Sequence, residues 1–401
     1  MSLLFPFRAL RPVPDAVSSV ASVPYDVVNT EEARALVAGA PLSFLRVTRA
    51  EVDLPPDTNP YSEQVYAQAV RNLEDLKRAA PMIIEDEPAL YFYRLRMGSH
   101  EQTGLAGCFS LDEYDRDLIK KHERTRRDKE DDRTRHMVEL RAQTGVVFLT
   151  YRAAPAIDAI AAKVTAGRPL YDFVASDQVT HTMWRVTGAD VRALVDAFAG
   201  LPALYIADGH HRAASAARAR TTLPGSTEAA RFVAVAFPDA QTQILPYNRV
   251  VKDLAGTSPA SFLASVRSSL DVRDGPAVPA RKGEVAMFMA GRWHTLILPP
   301  LAAGTSRADS LDVERLHRNV LEPLLHIGDI RTDKRIDFVG GARGSAELER
   351  LVNSGTAALA FSMYPVTIDD LVAIADEGGI MPPKSTWFEP KLRDGLLVHL
   401  I

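Results

Sequence analysis

The chain has 401 residues, of which 46% are hydrophobic and 24% charged, with a formal charge of −4 and a single cysteine, Cys108. That composition fits a globular protein of two or three domains and excludes an intrachain disulfide or a cysteine-rich metal site. The near-neutral charge gives no support to a nucleic-acid partner or a polybasic membrane anchor, and no apolar run approaches the roughly 20 residues that span a bilayer.

The first segment, "MSLLFPFRALRPVPDA", has Pro6 breaking a short apolar start and no signal-peptide cleavage pattern, so a folded, cytoplasmic protein is expected. Asp15 and Thr30 are plausible helix caps. Pro88 to Leu111 contains two β-rich runs around Gly98-Ser99-His100 and predicts a hairpin. Lys120 to Gly145 carries both signs of charge, with Met137, Val138 and Leu140 near its end, and predicts a long exposed helix. "GVVFLTY" (Gly145 to Tyr151) then reads as a buried strand.

Next comes "YIADGHHRAASAARAR", Tyr205 to Arg220. Leu204 to Ala207 is a short apolar strand, and the alanine-rich stretch from Ala213 has helical spacing, so Asp208, Gly209, His210, His211 and Arg212 sit at a strand–helix joint. "DLAGTSPAS" marks a break near residues 252 to 260, which divides the chain into expected lobes 1–255 and 256–401. Gly283 to Leu298 predicts a second hairpin, turning at Ala290-Gly291-Arg292. "IDFVGG", "SAELERLVN", "AALAFSM" and "TIDDLVAIADEG" then alternate strand and helix, so the fold class expected is mixed α/β.

The joint is a candidate anion site. The first N–H groups of a helix lack internal partners and carry the positive end of the dipole. Gly209 has no Cβ to keep a phosphate from the backbone. His210, His211 and Arg212 are disfavoured by the dipole unless an anion neutralises them, and Arg212 offers a bidentate fork. The bland alternative makes Asp208 an N-cap and the histidines surface residues. Zinc shared by His210 and His211 is disfavoured, because adjacent helical side chains diverge by about 100°.

"KKHERT" supplies His122, Glu123 and Thr125. Arg126 stands where the zincin pattern needs its second histidine, so that motif fails, but Glu123 beside His122 can serve as a general base. "GGIMPPKSTWFEPKLRDGL" nearly matches a P-loop, yet Pro383 replaces the glycine before Lys384 and Pro390 prevents a long helix. Lys384, Ser385 and Thr386, with Asn248 and Arg249 of "QILPYNRVV", are additional site candidates that structural packing explains equally well.

In order, "FPFRALRP", "ASVPYDVV", "KKHERT", "IADGHHRAA", "ILPYNRVV" and "MPPKSTWFEPKL" resemble the bacterial and archaeal family known as domain of unknown function 1015, over essentially the whole chain. Locally, Asp208 to Arg212 is similar to the phosphate-binding joint of the ParB/sulfiredoxin superfamily, and within it to the free-serine kinases. This second resemblance implies a ParB/sulfiredoxin-like phosphate-binding core with an additional α/β lobe, and donor phosphates held by Gly209, His210, His211 and Arg212. It also implies a carboxylate base, for which Glu123 and Asp208 are the candidates. The expectation is a phosphoryl-transfer enzyme, a small-molecule kinase acting on free serine or a related acceptor, with ATP or ADP and Mg²⁺ as cofactors and Asp208 as a magnesium ligand. The alternatives are a non-catalytic ParB-like nucleotide sensor and a phosphatase. The acceptor and the oligomeric state are not legible.

Overall fold

The computed structural model describes residues 2–79 and 81–401. The chain forms two compact units, one of residues 1–242 with 390–401 and one of residues 243–389. This differs from the expected boundary at 255: the Gly/Pro/Ser break lies inside the second unit, and the last twelve residues return to the first. The returning stretch is tied by Val398 bridging Leu10 and by His399–Leu400 pairing with Ala142–Gln143.

The first unit is built on a nine-stranded mixed sheet. In chain order its strands are β1 (Leu4–Phe5), β2 (Leu90–Met97), β3 (His100–Ser110), β4 (Ile119–Lys120), β5 (Val147–Tyr151), β6 (Tyr171–Val174), β7 (Thr180–Val186), β8 (Leu204–Asp208) and β9 (Arg231–Pro238). Their spatial order is β4-β8-β5-β9-β3-β2-β7-β6, with β1 also on β3. The predicted hairpin is β2–β3, with Met97 opposite His100. β8 runs antiparallel to β5 and parallel to β4, so the joint after β8 lies near one end of the sheet.

Helices α1 (Glu63–Ala79), α2 (Arg127–Leu140), α3 (Pro155–Thr165), α4 (Ala189–Ala199) and α5 (His210–Thr222) belong to this unit. Alternate strand residues, Val147, Leu149 and Tyr151, Leu204 and Ile206, Phe232, Ala234 and Ala236, enter one core with Ile157, Leu194, Phe198, Ala213, Ala216 and Ala219. A period of two places those strand residues on one face, and α3, α4 and α5 supply the side chains that cover it. The alanines of α5 thus serve close packing on the sheet.

Three local expectations shift. The charged segment is helical only from Arg127, because Ile119–Lys120 pairs as β4 and residues 121–126 form a loop. Asn29, not Thr30, caps the helix Thr30–Val37, accepting from the Glu32 N–H while Glu32 accepts from the Asn29 N–H. Asp15 lies inside the 3₁₀ turn Pro14–Ala16, and Val13 occupies the cap position.

The second unit holds a six-stranded sheet whose neighbours are all antiparallel. Its strands are β10 (Tyr247–Val251), β11 (Asp271–Asp274), β12 (Glu284–Met289), β13 (Arg292–Ile297), β14 (Ile336–Gly340) and β15 (Leu359–Met363). The hairpin β12–β13 turns at Ala290-Gly291, and both residues have positive φ, 50° and 77°. The alternation expected afterwards is β14, α6 (Gly344–Asn353), β15 and α7 (Ile368–Asp376), the last begun by a Thr367/Asp370 capping box. The fold is therefore mixed α/β. Among the described residues no helix is long and apolar enough to cross a membrane.

Candidate functional site

The joint lies where the sequence reading put it, and a register shift shapes it. Ile206 faces Leu149 across β8–β5, but Asp208 faces Phe148, so Ala207 is an extra residue in the ladder. Continued alternation would point Asp208 into the core beside Ile206; the bulge turns it to the other face. Gly209 then takes φ +95°, a conformation that favours glycine, and α5 begins with no side-chain cap on its first N–H groups.

The loop of residues 121–126 folds onto this helix start. The His122 N–H approaches His210 Nε2 at 3.4 Å, and the Arg126 N–H donates to His211 Nε2 at 2.9 Å. The His122 and His210 rings meet edge to face at 4.4 Å, and Glu123 Oε2 lies 4.0 Å from His210 Nδ1. Thr125 is held by Glu130 at the start of α2. His210 and His211 diverge as expected, one toward His122–Glu123 and the other capping the loop backbone. His122 is 2% exposed and neither ring nitrogen makes a well-aligned hydrogen bond among the described residues, though the Ile206 backbone lies close to the ring. Burial pushes its pKa down to about 4, only partly opposed by Asp208 and by the Ile206 backbone. Burial with His122 alongside likewise holds His210 well below the ordinary imidazole value.

Two predicted roles change. Asp208 is paired with Lys391 at 3.0 Å. Burial alone would raise its pKa, but Lys391 and Arg212 outweigh it and keep the carboxyl ionised far below the usual range. A carboxylate compensated by a lysine is a poor magnesium ligand and a poor base, so Asp208 does not fit the metal or base role. Arg212 is 3% exposed and does not project from the helix start. Its Nη1 donates to the Val146 carbonyl at 2.6 Å, and its Nη2 reaches both oxygens of Asp26, at 2.9 and 2.7 Å. The fork expected to hold phosphate is occupied by a protein carboxylate.

Sequence reading singled out neither Tyr25-Asp26 nor Lys391 and Asp394, although all four lie inside quoted motifs. Arg133 and Arg212 place their guanidinium groups 4.4 and 5.7 Å from the Tyr25 ring centre. Asp394 is buried near Arg212 and Asp26, with Oδ2 lacking a hydrogen-bond partner among the described residues. Burial raises its pKa to about 7, against the lowering field of Arg212.

Asn248, Arg249, Lys384, Ser385 and Thr386 belong to the second unit. There Asn248 Oδ1 accepts from the Met363 N–H at 3.0 Å, and Ser385 Oγ donates to the Pro382 carbonyl at 2.6 Å. Arg249, 1% exposed, donates to the carbonyls of Tyr247 and Lys384 and so ties β10 to the MPPKST loop. Lys384 is exposed with φ +57°, and Thr386 is half-buried.

Three solved structures are remotely similar. A conserved hypothetical protein from Pyrococcus furiosus shares 15% identity and covers 74% of this chain and 95% of its own, with a TM-score of 0.38. A free serine kinase in complex with AMP shares 13% identity over 73% of this chain and 91% of its own, with a TM-score of 0.37. A C-terminally truncated SbnI from Staphylococcus aureus shares 10% identity over 74% and 87%, with a TM-score of 0.41. No curated protein matches. Residues 4–314 match the family described as Protein of unknown function (DUF1015), and the chain belongs to that family.

Proposed function

We propose that the chain is a phosphoryl-transfer enzyme, a kinase for a small hydroxyl-bearing molecule, that binds nucleotide phosphates at the start of α5. The observation that carries this reading is the approach of Glu123 to His210, 4.0 Å from carboxylate to ring. It brings a proton acceptor to a joint that otherwise offers donors. The uncapped N–H groups after Gly209 would receive phosphate oxygens of ATP or ADP, with His211 beside them. Glu123 would accept the proton of the attacking hydroxyl, which needs contact at about 3 Å. Arg212 acts indirectly, fixing the joint against Asp26. Magnesium would arrive with the nucleotide, since Asp208 is committed to Lys391.

Resemblance of the Asp208 to Arg212 motif to free-serine kinases makes L-serine the first acceptor to try. Calorimetric titration with ATP, ADP and AMP tests the binding half. One equivalent of nucleotide should bind, and Gly209→Ala should weaken it at least tenfold. Binding to wild type and variant alike would place the nucleotide elsewhere, and no binding at all would remove the reading.

A further inference from the structure

Loop 121–126 and α5 create a second chemical possibility at their junction. One donor atom each from His122, Glu123 and His210 lies within 4.8 Å of the other two. His122 supplies an independent sign of a missing ligand, because both of its ring nitrogens are buried and neither makes a well-aligned hydrogen bond among the described residues, although the Ile206 backbone lies close to the ring. A buried polar atom left without a bond costs free energy, and native structures rarely leave both nitrogens of one imidazole so. We propose that His122, Glu123 and His210 form a three-ligand site for a divalent first-row transition metal ion.

The donor set argues for the class of ion. Two imidazoles and one carboxylate suit zinc, manganese or cobalt, whereas magnesium prefers oxygen ligands and its own water shell. Three protein ligands leave coordination positions open, the arrangement of catalytic rather than structural sites. The approach of the His122 N–H to His210 Nε2, at 3.4 Å, is long for a hydrogen bond, and the His210 nitrogen nearer Glu123 is Nδ1. His211 stays outside the set because it holds the Arg126 N–H. A metal-bound Glu123 carboxylate is a poor base for the same reason as Asp208, so the metal site and the proposed base role are alternative uses of that residue. Metal binding does not depend on phosphoryl transfer, and the two can fail separately.

The test is made without nucleotide. The full-length protein is stripped with EDTA, dialysed, and titrated with Co²⁺, Zn²⁺ and Mg²⁺ by visible absorption and calorimetry. The site predicts one equivalent of Co²⁺, displaced by Zn²⁺, with both at least tenfold tighter than Mg²⁺. Glu123→Gln and His122→Asn should each weaken Zn²⁺ at least tenfold with unchanged far-ultraviolet circular dichroism. Should His122→Asn fail to fold, Glu123→Gln decides the matter, its side chain being partly in solvent. Absence of Co²⁺ and Zn²⁺ binding to the wild type, or binding unaltered in folded Glu123→Gln, overturns the proposal.

Discussion

Arg212 donates to the Asp26 carboxylate and to the Val146 carbonyl, so its removal leaves a packing fault rather than an empty phosphate cradle. Truncating one member of a buried ion pair is strongly destabilising, but Asp26 keeps 37% of its side chain in water, which lowers the cost. Arg212→Ala is expected to lose about 2–3 kcal/mol in urea unfolding. Arg212→Lys should recover little, because an ammonium cannot reproduce the fork. Asp394 answers to pH in a definite direction. Its folded pKa, about 7, lies above the unfolded carboxyl value of about 3.9, so its favourable contribution is complete below pH 4 and lost as pH rises through 7. Asp394→Asn should therefore raise the melting temperature at pH 8 relative to wild type and change it little at pH 4. Equal effects at both pH values would mean that the carboxyl does not carry a proton there.

At the scale of elements, the two hairpins, β5, β8 and the late strand–helix alternation were legible because period-two apolar runs and turn residues are local signals. The bulge at Ala207 was not, since an extra residue shows only when β8 is set against β5. Nor was the Arg212–Asp26 pair, whose members lie in motifs far apart in the chain; the quoted VPYD segment was the one available hint. The helix expected over 120–145 began late because charge pattern alone cannot distinguish a loop that lies on α5 from a helical turn. Turn chemistry yields a further expectation. Ala290 has φ +50°, which costs an L-residue about 1–2 kcal/mol, and a two-residue turn with positive φ at both positions favours Asn-Gly. Ala290→Asn should stabilise the protein by about 0.5–1 kcal/mol in denaturant unfolding.

Across the whole molecule, buried histidines set the acid limit. Burial lowers His122 and His136 to about 4 and His181 to about 3, and also lowers His210 and His399. Each binds a proton in the unfolded chain near pH 6.5 but not in the folded one, so stability present above that pH is lost as pH falls toward 4. Five such groups outweigh the opposite trend of Asp394, and the melting temperature should decline steadily below about pH 6. A flat profile between pH 6 and 4 would contradict the neutral, buried state of these rings.

The proposed kinase activity turns on Glu123 acting as the base beside the start of α5. Its most direct test follows the γ-phosphate of ATP by ³¹P nuclear magnetic resonance, with L-serine and a panel of small hydroxyl compounds as acceptors, for the wild type and Glu123→Gln. A phosphomonoester product is expected with the wild type. With Glu123→Gln, turnover should fall at least a hundredfold, while nucleotide affinity stays within threefold. Equal turnover by the two proteins, or tight nucleotide binding by a wild type that transfers phosphate to no acceptor and to no water, would contradict it.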